Sequence, residues 1–205
     1  MRKTVERIII SIVGMSVLSV GIGVIVNSNF GSDTLTLLEE ALQHNFGLTI
    51  GTYNTLLGIV MVIVSFFCDK RKIGFATIYY VIVGKFIIDG TIELFPVAET
   101  IPMKLLFIAL AIALVSVGSS LAICSRFGLS FYDAFLYSVT DRFKFNYVIF
   151  RYIVEACFLV ISLILHTYPN IGTIIYFVLF GPSITFTLKL IKKPFRQHWN
   201  MPYED

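Results

Sequence analysis

At 205 residues, with 57% hydrophobic and only 14% charged residues and a mean hydropathy of +0.84, the chain lies outside the balance of water-soluble domains. Its apolar residues come in uninterrupted runs of membrane-crossing length, not at amphipathic spacing, which excludes a soluble enzyme core. The formal charge of +3 is spread over the ends of these runs, not gathered on one face, and implies no nucleic-acid partner.

In chain order the apolar runs cover 8–28, 50–68, 74–95, 105–125, 147–165 and 172–191. Each is long enough to cross a hydrocarbon core of roughly 30 Å as a helix. Barrel strands would need polar alternation, which the runs lack, so the expected fold is all-α, a polytopic membrane bundle of six transmembrane helices in a single domain over 1–205. The first run follows Met1, Arg2, Lys3 and Arg7. Such a basic start also suits a secretory signal peptide, but no A-x-A-like cleavage site follows and the run is long, so it reads as the first span.

Basic residues orient the bundle, because short loops rich in Lys and Arg stay cytoplasmic. Arg2, Lys3 and Arg7, then Lys70, Arg71 and Lys72, then Arg126, Arg142 and Lys144, and finally Lys189, Lys192, Lys193 and Arg196 fall on one side. The connections 29–49, 96–104 and 166–171 contribute only Lys104. The expectation is a multi-pass protein of the cell membrane with both termini and a tail over 193–205 in the cytoplasm.

A shift of 97 positions relates the two halves. It carries Ser19, Val20 and Gly21 to Ser116, Val117 and Gly118, and Ser28, Phe30 and Gly31 to Ser125, Phe127 and Gly128. It also carries Ile78, Tyr79, Val81, Gly84 and Ile87 to Ile175, Tyr176, Val178, Gly181 and Ile184. One ungapped register over three spans and a polar connection points to duplication, with repeat 1 at about 7–95 and repeat 2 at about 104–192. Three spans per half is an odd number, so the repeats are expected to be inverted in the membrane. That plan recurs in secondary transporters, whose sites lie between the repeats near the midplane.

After the first span of each half comes a short helical segment, 33–46 and 130–143. In the first, Leu35, Leu38, Ala41, Leu42 and Phe46 form an apolar stripe, with Glu39, Glu40 and Gln43 placed opposite. In the second, Phe131 or Tyr132, Phe135, Leu136, Val139 and Phe143 do likewise. Ser32 or Asp33 caps the first, and Ser130 with Asp133 three residues on caps the second. Two placements stay open: amphipathic helices lying in the interface, or re-entrant helices entering from opposite faces with their N-termini toward a buried site. Asp33 and Asp133 at those N-termini would repel an anionic ligand.

At these residues the chain resembles the YczE branch of the YczE/YyaS/YitT group of bacterial integral membrane proteins. Members carry a G-x-S-P-W-D-like segment after the first span of a half. Here Phe127, Gly128, Leu129, Ser130, Phe131, Tyr132 and Asp133 occupy it, and Gly31, Ser32, Asp33 and Thr34 depart from it further. Gly47, Leu48, Thr49, Ile50 and Gly51, and Ile171, Gly172 and Thr173 with Gly181 and Pro182, are also family-like. The resemblance implies the membrane fold and leaves the activity open.

Charges within spans are costly and so draw attention. Lys85, Asp89 and Glu93 recur at four-residue spacing on the third span, and Arg151 and Glu155 on the fifth. Two readings stand: neutralised pairs that lock helices together, or a polar substrate path, in which Lys85 faces the bundle interior, pairs with Asp89 and meets Arg151. Asn54 occupies the position that the repeat shift relates to Arg151 and joins the path as a candidate. His44, His166 and His198 are scattered, and Cys68, Cys124 and Cys157 form no metal or disulfide pattern. No catalytic motif is present, and neither an enzyme, a metal nor a cofactor is expected. The leading expectation is a small-solute transporter or permease in the lipid bilayer. The alternative is an accessory or scaffolding membrane subunit for a membrane-associated biosynthetic or regulatory system, with a protein partner or a second copy of the chain.

Overall fold

The computed structural model describes the backbone of Arg2–Trp199 and the side chains of residues 4–192. It comprises α1 (Arg2–Asn27), α2 (Thr34–Phe46), α3 (Ile50–Asp69), α4 (Phe75–Leu94), α5 (Ile101–Ser125), α6 (Phe131–Phe143), α7 (Tyr147–Ile164) and α8 (Ile171–Trp199), with a 3-10 turn at Lys70–Lys72. All but α2 and α6 are long and apolar enough to cross a membrane, in agreement with the six runs read from sequence. Of the expected tail, 193–199 continues α8, and 200–205 lies outside the described residues.

Local signals set the boundaries. Asp33 caps α2, Thr49 α3, Ser130 α6 and Asn146 α7, each side chain accepting a first-turn backbone N–H that would otherwise be orphaned. At the far ends, Gly47, Arg126 and Lys144 turn the chain out of α2, α5 and α6 in the left-handed conformation.

The centre of the bundle is the pair α1 and α5. A Cβ on Gly14 would lie 2.8 Å from the carbonyl of Gly118, and one on Gly21 would lie 2.7 Å from the Val115 side chain. The later residue of α1 meets the earlier residue of α5, so the two run antiparallel, with glycine allowing the close approach. Outward from this axis α4 packs on α1 and α8 on α5, while α6 packs on α3 and α2 on α7.

Backbone geometry recurs at the same interval of 97. Asn29 and Arg126 have φ of 46° and 57°, Gly31 and Gly128 of 123° and 120°, and Gly47 and Lys144 of 82° and 58°. A φ near 120° excludes side chains with a Cβ, which accounts for glycine at both equivalent positions. The turns after α1 and α5 are each completed by the opposite half. The N–H of Ala76 donates to the carbonyl of Phe127 at 3.0 Å, and that of Gly172 to the carbonyl of Phe30 at 2.9 Å.

The short helices enter from opposite ends of α3, which at 20 residues spans about 30 Å. The C-terminal end of α6 lies beside the 3-10 turn that follows α3, where Lys72 pairs with Asp141 at 2.7 Å. That of α2 adjoins the end of α7, where Asn45 donates to the carbonyl of Leu165 at 2.9 Å. In α2 the side chains Thr36 to Glu39 are all buried, and those from Gln43 onward are exposed. In α6 Phe131, Ala134, Leu136, Ser138, Val139 and Thr140 are buried, and residues from Asp141 onward are exposed. Burial thus falls away toward the C-terminal end of each helix, with Tyr137 of α6 exposed in between. This corrects the expected amphipathic stripe of α2: Glu39, placed on its polar side, is fully buried.

Candidate functional site

A cavity of about 290 Å³ opens where the N-termini of α2 and α6 approach each other. Its floor is Leu18 and Ile22 of α1 and Val115 and Ser119 of α5, residues near the middle of those spans. Its sides come from α7 and α8.

The two short helices bring a carboxylate each. Asp33 accepts from the Thr36 hydroxyl at 2.6 Å and from the Thr36 N–H at 3.3 Å. Asp133 accepts from the Ser130 hydroxyl at 2.8 Å, while its own N–H donates to that hydroxyl oxygen at 3.1 Å. Position 33 corresponds to 130 and 36 to 133 by the interval of 97, so the same acid and hydroxyl pair opens both helices with the two roles exchanged. Burial pushes both carboxyls above the usual range, opposed by hydrogen bonds from Thr36 and Ser130 respectively.

From α7, the Arg151 Nε donates to Glu155 Oε1 at 2.8 Å, and the Tyr132 hydroxyl lies 3.4 Å from the same oxygen. The other carboxylate oxygen of Glu155 has no hydrogen-bond partner, and neither has the Thr173 hydroxyl across the cavity. Rings complete the wall. Tyr80 stacks on Phe131 with centroids 5.0 Å apart, Tyr176 stacks on Phe180 at 5.2 Å, and the Arg151 guanidinium sits 5.6 Å from the Phe180 centroid.

The residues expected to line a polar path therefore divide. Arg151 and Glu155 line the cavity, together with Asp33, Ser130 and Asp133, which were expected only as helix caps. Ser32 is buried, but the cap of α2 is Asp33. Asn54 donates to Glu39 at 2.8 Å in a buried contact between α2 and α3, and neither residue is part of the cavity lining. Glu39 and Asn54 each keep one oxygen unpartnered, and burial, with Asp33 adding its charge, pushes the Glu39 carboxyl well up.

The expected pairing of Lys85 with Asp89 is corrected. Asp89 instead accepts from the Thr49 hydroxyl at 2.7 Å and the Gly51 N–H at 2.9 Å, joining α4 to the start of α3. Backbone amides and a hydroxyl at a helix N-terminus satisfy a carboxylate without a cation. Lys85 lines an apolar groove on the outer face between α3 and α4, its Nζ 4.8 Å from the Phe86 centroid. Glu93 is exposed. Nor do α4 and α7 form a packed pair, so Lys85 does not meet Arg151.

Sequence reasoning missed the aromatic wall and Glu39. Glu39 follows Leu35 by four residues and precedes Phe46 by seven, helical intervals that place it at the margin of the apolar stripe. Tyr80 and Tyr176 each stand five residues into the third span of a half, yet aromatic residues are too common in spans to mark a site from sequence.

Fold and cavity define a six-span helical membrane protein with a largely apolar, aromatic chamber among its helices that holds a few charged side chains. The chain belongs to a family of unknown function, DUF6198, whose model matches residues 5–189. It is 23% identical over 190 residues to the uncharacterized protein YyaS of Bacillus subtilis (strain 168), covering 89% of this chain and 92% of that one. It is 22% identical over 190 residues to an uncharacterized protein of Haemophilus influenzae, covering 92% and 86% respectively. The resemblance to the YczE/YyaS/YitT group is borne out through YyaS. No solved structure matches the chain.

Proposed function

We propose that the protein is a small-solute transporter or permease of the cell membrane, built from two inverted three-span repeats, with its solute site in the cavity between them. The observation that carries this reading is the meeting of both short-helix N-termini in a charged chamber at the depth of the middle of α1 and α5. Repeat inversion is supported by the antiparallel α1 and α5, by turn angles that recur at an interval of 97, and by the opposite entry of α2 and α6. The burial of their N-terminal halves, Glu39 included, favours re-entrant over interfacial helices. Helices broken by irregular backbone are tolerated at membrane depth where they line a cavity, and transporter sites use such elements.

The end of α6 lies among Lys70, Arg71, Lys72, Arg142 and Lys144, which supports a cytoplasmic placement of that side by the positive-inside rule. A cysteine introduced at Asn170 should react with impermeant reagent in intact cells and one at Lys72 should not; the reverse pattern overturns the orientation. Transport is tested by incubating proteoliposomes in a bacterial small-molecule extract and measuring their contents by mass spectrometry. Protein-dependent accumulation of a solute is expected. No accumulation, together with stable co-purification of a large protein partner, would establish the accessory-subunit alternative.

A further inference from the structure

We infer that the cavity selects a protonated amine on a small apolar or aromatic body; this rests on the solute-site reading above and names its substrate class. Three carboxylates face the space, from Asp33, Asp133 and Glu155, against the single guanidinium of Arg151. Even if each short helix contributes about half a positive charge at its N-terminus, the wall keeps roughly one negative charge in excess. Arg151 is already engaged by Glu155 at 2.8 Å and by the ring of Phe180, so it is poorly placed to receive an anion.

Two observations independent of the charge count point to a ligand with N–H donors. Glu155 is 8% exposed and Thr173 is 6% exposed; both belong to the cavity lining, and each keeps one oxygen with no partner. A buried acceptor left without a donor is costly, and an ammonium group carries several donors. Tyr80, Tyr132 and Tyr176 line the same cavity, and an aromatic ring attracts positive charge. Among the described residues the acids do not converge into a set that would hold a metal ion, and the largely apolar lining favours an organic body over a bare inorganic cation.

The test uses three ligands with one carbon skeleton: phenethylamine, 2-phenylethanol and phenylacetate. Each is titrated into the full-length protein in lipid nanodiscs while thermal unfolding is followed. Phenethylamine should stabilise saturably, and the alcohol and the acid should not. Asp33→Asn and Asp133→Asn should each weaken the amine at least tenfold, whereas Glu93→Gln, far from the cavity, should leave it unchanged. Should the aspartate variants fold poorly, Val148→Cys reports on intact carboxylates: Val148 lines the cavity and is exposed, and the amine alone should protect its cysteine from a soluble maleimide. Saturable binding of phenylacetate or the alcohol at equal or greater affinity, or no saturable effect of the amine in either assay, overturns the inference. Amine binding without accumulation of phenethylamine or any other solute in proteoliposomes would uphold the cation site and count against the transport reading, so the two fail separately.

Discussion

The α3–α4 seam and the α7–α8 cleft occupy corresponding places in the two halves, yet one is closed and the other holds the cavity. Across the seam Gly51 lies so close to α4 that a Cβ would come 2.8 Å from Asp89 Oδ1, and Thr55 donates to the carbonyl of Val81 at 2.9 Å. Across the cleft the helices do not pack as a pair. They touch through long side chains, with Tyr152 and Phe177 centroids 5.6 Å apart and Arg151 over Phe180. The interval of 97 relates Gly51, Asn54 and Gly58 of α3 to Val148, Arg151 and Glu155 of α7. Gly51 lets α3 close on α4, while Asn54 turns to Glu39 of α2 and Gly58 to Phe131 of α6; on α7 the three corresponding side chains are larger and line the cavity. A single glycine on α3 thus separates the closed seam from the open cleft.

The largest expected effect comes from forcing the seam to resemble the cleft. Gly51→Val should cost about 3 kcal/mol, because its side chain would meet backbone and a bonded carboxylate that cannot retreat. Val148→Ala at the corresponding place should stay within about 0.5 kcal/mol, since Val148 is 55% exposed. Equal losses in thermal unfolding would erase the distinction between the two regions.

Next in size is the pair that holds the cleft. Arg151→Met should cost about 2 kcal/mol by leaving Glu155 unpaired in a site where its side chain is 10% exposed. Adding Glu155→Gln should restore part of that loss, whereas simple additivity would show the pair to be uncoupled. In the seam the contrast is sharp: Asp89→Asn should cost about 1 kcal/mol through the Gly51 N–H and Thr49 bonds. Lys85→Met should add to it without interaction, because no ion pair joins the two groups among the described residues.

The smallest effects concern protonation of α2. Glu40 is pushed up to about 7 by burial. Its folded value lies above the unfolded one, so the folded state binds more protons between about pH 4.5 and 7. Stability from this group therefore falls as pH rises through that window. Glu40→Gln should flatten the melting-temperature profile there, and an unchanged profile would refute the assignment. Glu39→Gln should be tolerated, because burial already favours the neutral acid, while Glu39→Ala should be clearly destabilising.

What the sequence conveyed follows from the physics of each signal. Six spans were legible because hydrocarbon thickness imposes length, and the recurring turn was legible because Gly31 and Gly128 answer to the same backbone need. Arg151 with Glu155 was legible from helical spacing alone. Lys85 with Asp89 had identical spacing and misled, because a carboxylate accepts the amides of a neighbouring helix as readily as an ammonium, and that neighbour is invisible in one dimension. The aromatic wall depends on which face of α4 and α8 turns inward, a choice made by packing across halves.

The exchanged turns also set a timetable for biogenesis. Within the first half, Asn27 donates to the carbonyls of Ile92 and Phe95 at 2.9 and 2.8 Å, and its own carbonyl accepts from Ala98, so α1 and α4 can be fastened before α5 leaves the ribosome. The carbonyl of Phe30 receives its donor only when Gly172 is synthesised, more than 140 residues later. The nascent first half thus waits in the membrane with an open turn, and translation of α8 is the event that seals it.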